Sequence, residues 1–196
     1  MRANLFAVIV VCCVLSGVAL AVPSTAAIDV GSHDLQENMS GQTIQLYVTG
    51  AAQVTAFNLK AQIGDGTGPN PEPIFEAIAF GGGMWDTHAN TVVGGPIGGA
   101  EQFADAYVAF NTTASVPANG LLLTLTIDTT GFFDGDSFGL LLEGSEMGVD
   151  SNFVVAGGGA LAADITNGTI NIVPEPASIA LMSIGGLLAL RRRKRQ

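Results

Sequence analysis

Period-two alternation of apolar and polar residues constrains this chain more than any other feature of its sequence. In TIQLYV, Ile44, Leu46 and Val48 point one way. In AFNLKAQI, Phe57, Leu59, Ala61 and Ile63 share one face, and Asn58, Lys60 and Gln62 share the other. Ala104, Ala106, Val108 and Phe110 alternate with Asp105, Tyr107 and Ala109. LLLTLTID places Leu121, Leu123, Leu125 and Ile127 opposite Thr124, Thr126 and Asp128. Successive strand side chains point to opposite faces, so each stretch reads as a half-buried strand. Phe138, Leu140 and Leu142, the run Phe153–Val155, and Ile170 with Ile172 continue the series.

The separators are turn formers: Gly64-Asp65-Gly66, Asn119-Gly120, Asp134-Gly135-Asp136 and Asn167-Gly168, the last reading as a hairpin turn. About seven to nine short strands of this kind predict an all-β fold, an antiparallel β-sandwich. Only 72–80 and 99–107 offer short helices, and the Gly-rich stretch 81–99 reads as a loop or an irregular hairpin. No internal repeat is evident.

The two ends differ from this body. Met1-Arg2-Ala3-Asn4 is positively charged, an apolar run from Leu5 to about Val18 follows, and Ala19-Leu20-Ala21 is a small-x-small cleavage signal. Cleavage after Ala21, Ala26 or Ala27 is possible, and residues 1–27 are expected to be a secretory signal peptide, the alternative being an uncleaved anchor. Cys12 and Cys13 both fall inside it, so residues 28–172, the expected sandwich domain, hold no disulfide and no cysteine-ligated metal. At the other end, Ala177–Leu190 are fourteen uncharged, mostly apolar residues. As a helix they span about 21 Å, short of the ~30 Å hydrocarbon core. Pro174 and Pro176 oppose extending that helix backwards, and Gly185-Gly186 weakens it. The following Arg191, Arg192, Arg193, Lys194 and Arg195 should remain cytoplasmic, leaving the body outside. Both ends thus predict one topology, with the tail a transient rather than permanent anchor.

Between the ends, sixteen acidic residues face one base, Lys60. Such a surface repels phosphate backbones, which excludes nucleic-acid binding.

Val173-Pro174-Glu175-Pro176, an apolar helix and an Arg/Lys cluster, in that order, resemble the PEP-CTERM sorting tail of Gram-negative and related bacteria. The resemblance covers residues 173–196. It implies that Pro174, Glu175 and Pro176 form the recognition element for exosortase, a membrane cysteine protease that removes or exchanges the tail. It also implies delivery to the cell envelope, cell surface or extracellular space, often alongside exopolysaccharide. The order of strand-like segments in the body resembles cohesin-like and carbohydrate-binding-module sandwiches, which implies a jelly-roll architecture. No dockerin-type repeat accompanies it.

Candidate chemistry is sparse. Gly135-Asp136-Ser137-Phe138-Gly139 matches the G-x-S-x-G nucleophile elbow, but that elbow needs a strand before the serine and a helix after it. Here a turn precedes Ser137 and a strand-like run follows, so Ser137 reads as the start of a strand. Asp86 and His88, near Trp85, have a spacing that could ligate a metal or orient a base, but nothing near them completes a site; His33 is the other histidine. Asp134 and Asp136, with Asp128 or Asp150, could supply oxygens to Ca²⁺, although the EF-hand spacing is missing. Asn38, Asn111 and Asn167 begin N-x-S/T triplets. The expected function is therefore non-enzymatic: an exported envelope or extracellular-matrix protein, adhesive or structural, contacting exopolysaccharide or another envelope protein. A carbohydrate-binding module is the second reading and requires Trp85, Tyr47 and Tyr107 on one exposed face. A secreted hydrolase using Ser137 is the third.

Overall fold

The computed structural model describes residues 25–66, 71–85, 90–110 and 114–175. The expected signal segment up to Ser24, Asp86, His88, Asn111, Pro176 and the basic cluster lie outside them. Among the described residues there are fourteen strands: β1 (Ala26–Asp29), β2 (Ser32–Gln36), β3 (Gln42–Gly50), β4 (Gln53–Ile63), β5 (Ile74–Ala79), β6 (Asn90–Ile97), β7 (Ala100–Phe110), β8 (Val116–Pro117), β9 (Gly120–Asp128), β10 (Ser137–Leu141), β11 (Asn152–Val155), β12 (Ala160–Ala162), β13 (Asp164–Thr166) and β14 (Gly168–Val173).

They form two sheets. The first has the order β13-β1-β3-β9-β5. The second runs β12-β11-β4-β10-β14-β2, with β7 and β8 also paired to β4 and β6 paired to β7. The long β4 organises this sheet. Ala56 pairs with Ala109 of β7 on one edge and with Val154 of β11 on the other.

Alternation produces the core as expected. Ile44, Leu46 and Val48 of β3 and Phe57, Leu59, Ala61 and Ile63 of β4 are buried, with Leu123, Leu125 and Ile127 of β9. Phe57 packs on Phe153 with ring centroids 4.7 Å apart and meets Phe80 edge-on at 6.5 Å, within the favourable range for aromatic pairs. The sandwich is all-β and mostly antiparallel. Two pairings, β1 with β13 and β14 with β2, are parallel, because the chain crosses between sheets at Val30–Gly31 and at Asn167.

The structure corrects several local expectations. Neither expected helix forms. Residues 72–80 contain β5, where a bulge between Phe75 and Ala77 breaks the alternation and leaves an aperiodic burial pattern. Residues 100–107 belong to β7, which lies between β4 and β6 and whose alternate residues Ala104, Ala106, Val108 and Phe110 enter the core. The Gly-rich stretch, by contrast, agrees with the second of its two expected forms, an irregular hairpin: its residues 90–97 are β6, which returns into β7 with a register shift between Pro96 and Ile97. Leu122, not Leu121, enters the core, because β3 pairs Leu46 with Leu123 and Tyr47 with Leu121, skipping one residue. Gln62 is buried rather than facing solvent. Its Oε1 accepts the Glu146 N–H (2.7 Å), and its Nε2 donates to the Gly64 carbonyl (3.1 Å).

Asn167-Gly168 is not a hairpin turn, since it joins β13 of one sheet to β14 of the other. Asn167 instead clamps a neighbouring bend. Its Oδ1 accepts the N–H groups of Leu142 (2.8 Å) and Glu143 (3.1 Å), and its Nδ2 donates to the Glu143 carbonyl (2.7 Å). Side-chain satisfaction of main-chain groups of this kind replaces missing ladder bonds.

Candidate binding face

The register across β6, β7, β4 and β11 builds one open face. Val93 pairs with Tyr107, Tyr107 with Asn58, and Asn58 with Asn152. Their chain neighbours Phe57, Val108 and Phe153 are buried, so this row points away from the core. At about 4.8 Å between strands, the row spans about 14 Å. Thr91, Ala109, Ala56 and Val154 form the row on one side; Gly95, Asp105 and Lys60 lie on the other.

Charge distinguishes this surface. Across those three rows the charged groups are Lys60 and Asp105, and they neutralise each other in an ion pair. The face is thus locally neutral on a body with sixteen acids. The rim is apolar: on the edge strand β6, Val93 is 52% exposed and Val92, on its other side, 47%. The Lys60 stem is largely covered and its main-chain N–H donates to Ser151 Oγ (2.9 Å), which fixes the centre of the face. Sequence reading found Asn58, Lys60 and Tyr107 as polar-side residues but could not unite them with Val93 or Asn152, which are distant in the chain.

The aromatic residues required for sugar stacking do not converge. Trp85 is fully buried, its indole Nε1 donates to the Leu122 carbonyl (2.9 Å), and its ring packs on Phe110 at 5.4 Å. Tyr47 is exposed on the outside of the five-stranded sheet and donates to Gln45 Oε1 (3.0 Å). Tyr107 is on the outside of the other sheet.

Ser137 begins β10 after a turn, as expected, and donates its hydroxyl to Asn171 Oδ1 (3.0 Å). It borders a shallow groove with Gly64, Asp65, Pro71, Glu72, Phe138 and Gly139. Partial burial raises the Glu72 carboxyl above its ordinary value, and the main-chain N–H donors of Asp65 and Gly66 oppose that rise without cancelling it. Glu72 Oε1 is occupied by these donors at 2.6 and 3.2 Å. His33 belongs to β2, where its Nε2 lies 2.6 Å from the Val30 carbonyl oxygen. Among the described residues, the lining of this groove holds no histidine, and its carboxylates are those of Asp65 and Glu72.

The aspartates proposed for Ca²⁺ act in separate turns. Asp128 Oδ1 accepts Thr130 N–H (2.7 Å), Asp136 Oδ2 accepts Phe133 N–H (3.0 Å), and Asp150 Oδ1 accepts Gly144 N–H (2.7 Å). Asp134 donates its own N–H to Glu37 Oε2 (3.3 Å). Among the described residues, no group of three His, Cys, Asp or Glu gathers at one point.

At the C-terminal exit, Val173 is the last strand residue and its carbonyl accepts the Glu37 N–H (2.9 Å). Pro174 and Glu175 follow directly. No described helix is long and apolar enough to cross a membrane.

Comparison with known proteins supplies the class. Residues 173–195 match the PEP-CTERM protein-sorting motif, a span that includes Pro174, Glu175, Pro176 and the basic cluster. In fold, the chain is similar to a non-cellulosomal cohesin from the hyperthermophilic archaeon Archaeoglobus fulgidus, with 18% identity and a TM-score of 0.55, covering 80% of this chain and 97% of that one. It is also similar to the sixth cohesin of scaffoldin B from Acetivibrio cellulolyticus, solved in complex with a Cel5 dockerin mutant, at 10% identity and a TM-score of 0.56, covering 76% and 99%. The cohesin of the Coh-OlpC-Doc435 complex from Clostridium thermocellum gives 12%, 0.57, 78% and 96%. Compared by sequence with curated proteins, the chain matches none.

The fold is therefore a cohesin-like β-sandwich. More particularly, this is such a sandwich carrying a PEP-CTERM sorting motif, and the motif indicates export to the bacterial cell envelope or surface.

Proposed function

We propose that this is a non-enzymatic adhesive module, exported through its N-terminal signal, delivered by an exosortase-like membrane protease acting on its tail, and binding an envelope protein through the β6-β7-β4-β11 face. The observation carrying this reading is the neutral, apolar-rimmed face on an otherwise acidic surface, with Val93, Tyr107, Asn58 and Asn152 in one cross-strand row. Binding surfaces of this type gain from apolar and tyrosine contacts and from low net charge at their centre. Similar folds are solved with dockerin partners, which supports a protein ligand. The burial of Trp85 and the separation of the two tyrosines weigh against a sugar platform. The exit of the chain supports delivery: the sorting motif starts where the last strand ends, at Val173.

The test uses the exported protein and an envelope or matrix fraction from the native host. Binding should be lost when that fraction is treated with protease and survive periodate oxidation of its sugars. Tyr107→Asp should weaken it at least tenfold with an unchanged melting temperature. Survival of binding after proteolysis, or indifference to Tyr107→Asp, refutes the reading.

A further inference from the structure

The three candidate signal cleavage positions differ in what they leave of β1, on the reading that residues preceding the sandwich are an export signal. β1 is an interior strand of its sheet, held between β3 and β13. Ala26 pairs with Gly50, Ala27 with Thr49 and Ile28 with Val48 on one side; Ala27, Ile28 and Asp29 pair with Asp164, Ile165 and Thr166 on the other. The Ala26 and Ile28 side chains are each 1% exposed.

The folded structure extends one residue further back. A Cβ placed on Gly50 would lie 2.1 Å from the Thr25 carbonyl oxygen and 2.9 Å from Ala26 Cα. Gly50 thus has no room for a side chain because the backbone at Thr25 passes directly against it. A cut after Ala26 would remove that contact and the first ladder pair. It would also place an ammonium group at Ala27, between two strands. A cut after Ala27 would place the charge on Ile28, at the edge of the core. Burying an unpaired charge there opposes folding.

We infer that signal peptidase cleaves between Ala21 and Val22, and that Val22–Thr25 stays with the mature protein. The reaction is hydrolysis of that one peptide bond: water supplies the hydroxyl that completes the Ala21 carboxyl group and the proton that completes the Val22 amine. Ala19 and Ala21 provide the small-x-small pair such an enzyme reads. The other two positions satisfy the same local rule, and the fold makes them destructive.

The test is amino-terminal sequencing and intact-mass measurement of the protein recovered from the envelope or medium of its host. A chain beginning at Val22 is expected. A chain beginning at Ala27 or Ile28, with the export reading intact, overturns the inference; one beginning at Met1 overturns the export reading as well. As a second arm, Ala21→Arg should accumulate uncleaved precursor, or yield a product cut later with a melting temperature at least several degrees below wild type. An unchanged mature mass and melting temperature in Ala21→Arg would show that the cut lies elsewhere.

Discussion

Replacing Trp85 separates a core role from a ligand platform more sharply than any other substitution. It is the only tryptophan in the chain. It is fully buried, bonded through Nε1 to the Leu122 carbonyl and packed on Phe110. Trp85→Ala removes the ring from a closed site, and truncations of buried aromatics of this size cost about 3–5 kcal/mol. Trp85→Phe keeps most of the apolar volume but leaves the Leu122 carbonyl without its indole donor, which costs about 1–3 kcal/mol. Set against a total stability of roughly 5–15 kcal/mol, the alanine loss is large. In a domain of this size it corresponds to a fall in Tm of roughly 6–20 °C.

Circular dichroism melts of wild type, Trp85→Phe and Trp85→Ala should show graded loss. Wild-type fluorescence should report a buried indole that shifts to the red in one step on unfolding. An unchanged melting temperature in Trp85→Ala would refute the core assignment. So would efficient quenching of the wild-type emission by iodide, a charged collisional quencher that needs an accessible ring.

Two further substitutions test local chemistry. Glu72 is held above its ordinary value of 4.5 by burial, so the folded state retains its proton at pH values where the unfolded chain has lost it. Its stabilising contribution is complete below 4.5 and is lost as pH rises through the raised folded value. Glu72→Gln, which keeps an oxygen for the Asp65 and Gly66 N–H groups, should match wild type in acid and become relatively more stable as pH rises; a difference independent of pH contradicts this. Asn167→Ala strips partners from Leu142 N, Glu143 N and Glu143 O and should cost about 1–3 kcal/mol by chemical denaturation, whereas a merely connecting residue would cost nothing measurable.

The parts of the fold legible in the sequence are those where a strand keeps strict alternation. β3 and β4 announce themselves through Ile44-Leu46-Val48 and Phe57-Leu59-Ala61-Ile63, because one face of each is covered by the opposing sheet and the other is not. β5 is illegible because its bulge at Phe75–Ala77 puts consecutive residues out of step, which imitates helical spacing. The same physics exchanges Leu122 for Leu121: one skipped residue opposite Leu46–Tyr47 inverts the facing of what precedes it. Asn167-Gly168 has hairpin chemistry, but the decision between turning back and crossing to the other sheet is made by the partners of β13 and β14, far away in sequence. The candidate face was out of reach for the same reason. Asn58, Tyr107, Val93 and Asn152 become neighbours only through register. The tail was the opposite case, since its motif, apolar stretch and basic cluster are contiguous.

The central claim is that the sandwich is cargo and the tail from Pro174 onward is its sorting address. The most direct measurement compares wild type with a variant whose Pro174, Glu175 and Pro176 are all alanine, by fractionating the native host and sequencing the carboxyl terminus of the recovered protein. Wild type should appear at the surface or in the medium without the Arg191–Arg195 cluster, and the variant should stay in the membrane with its chain intact to Gln196. Surface protein that still ends at Gln196, or a variant processed like wild type, would contradict the account.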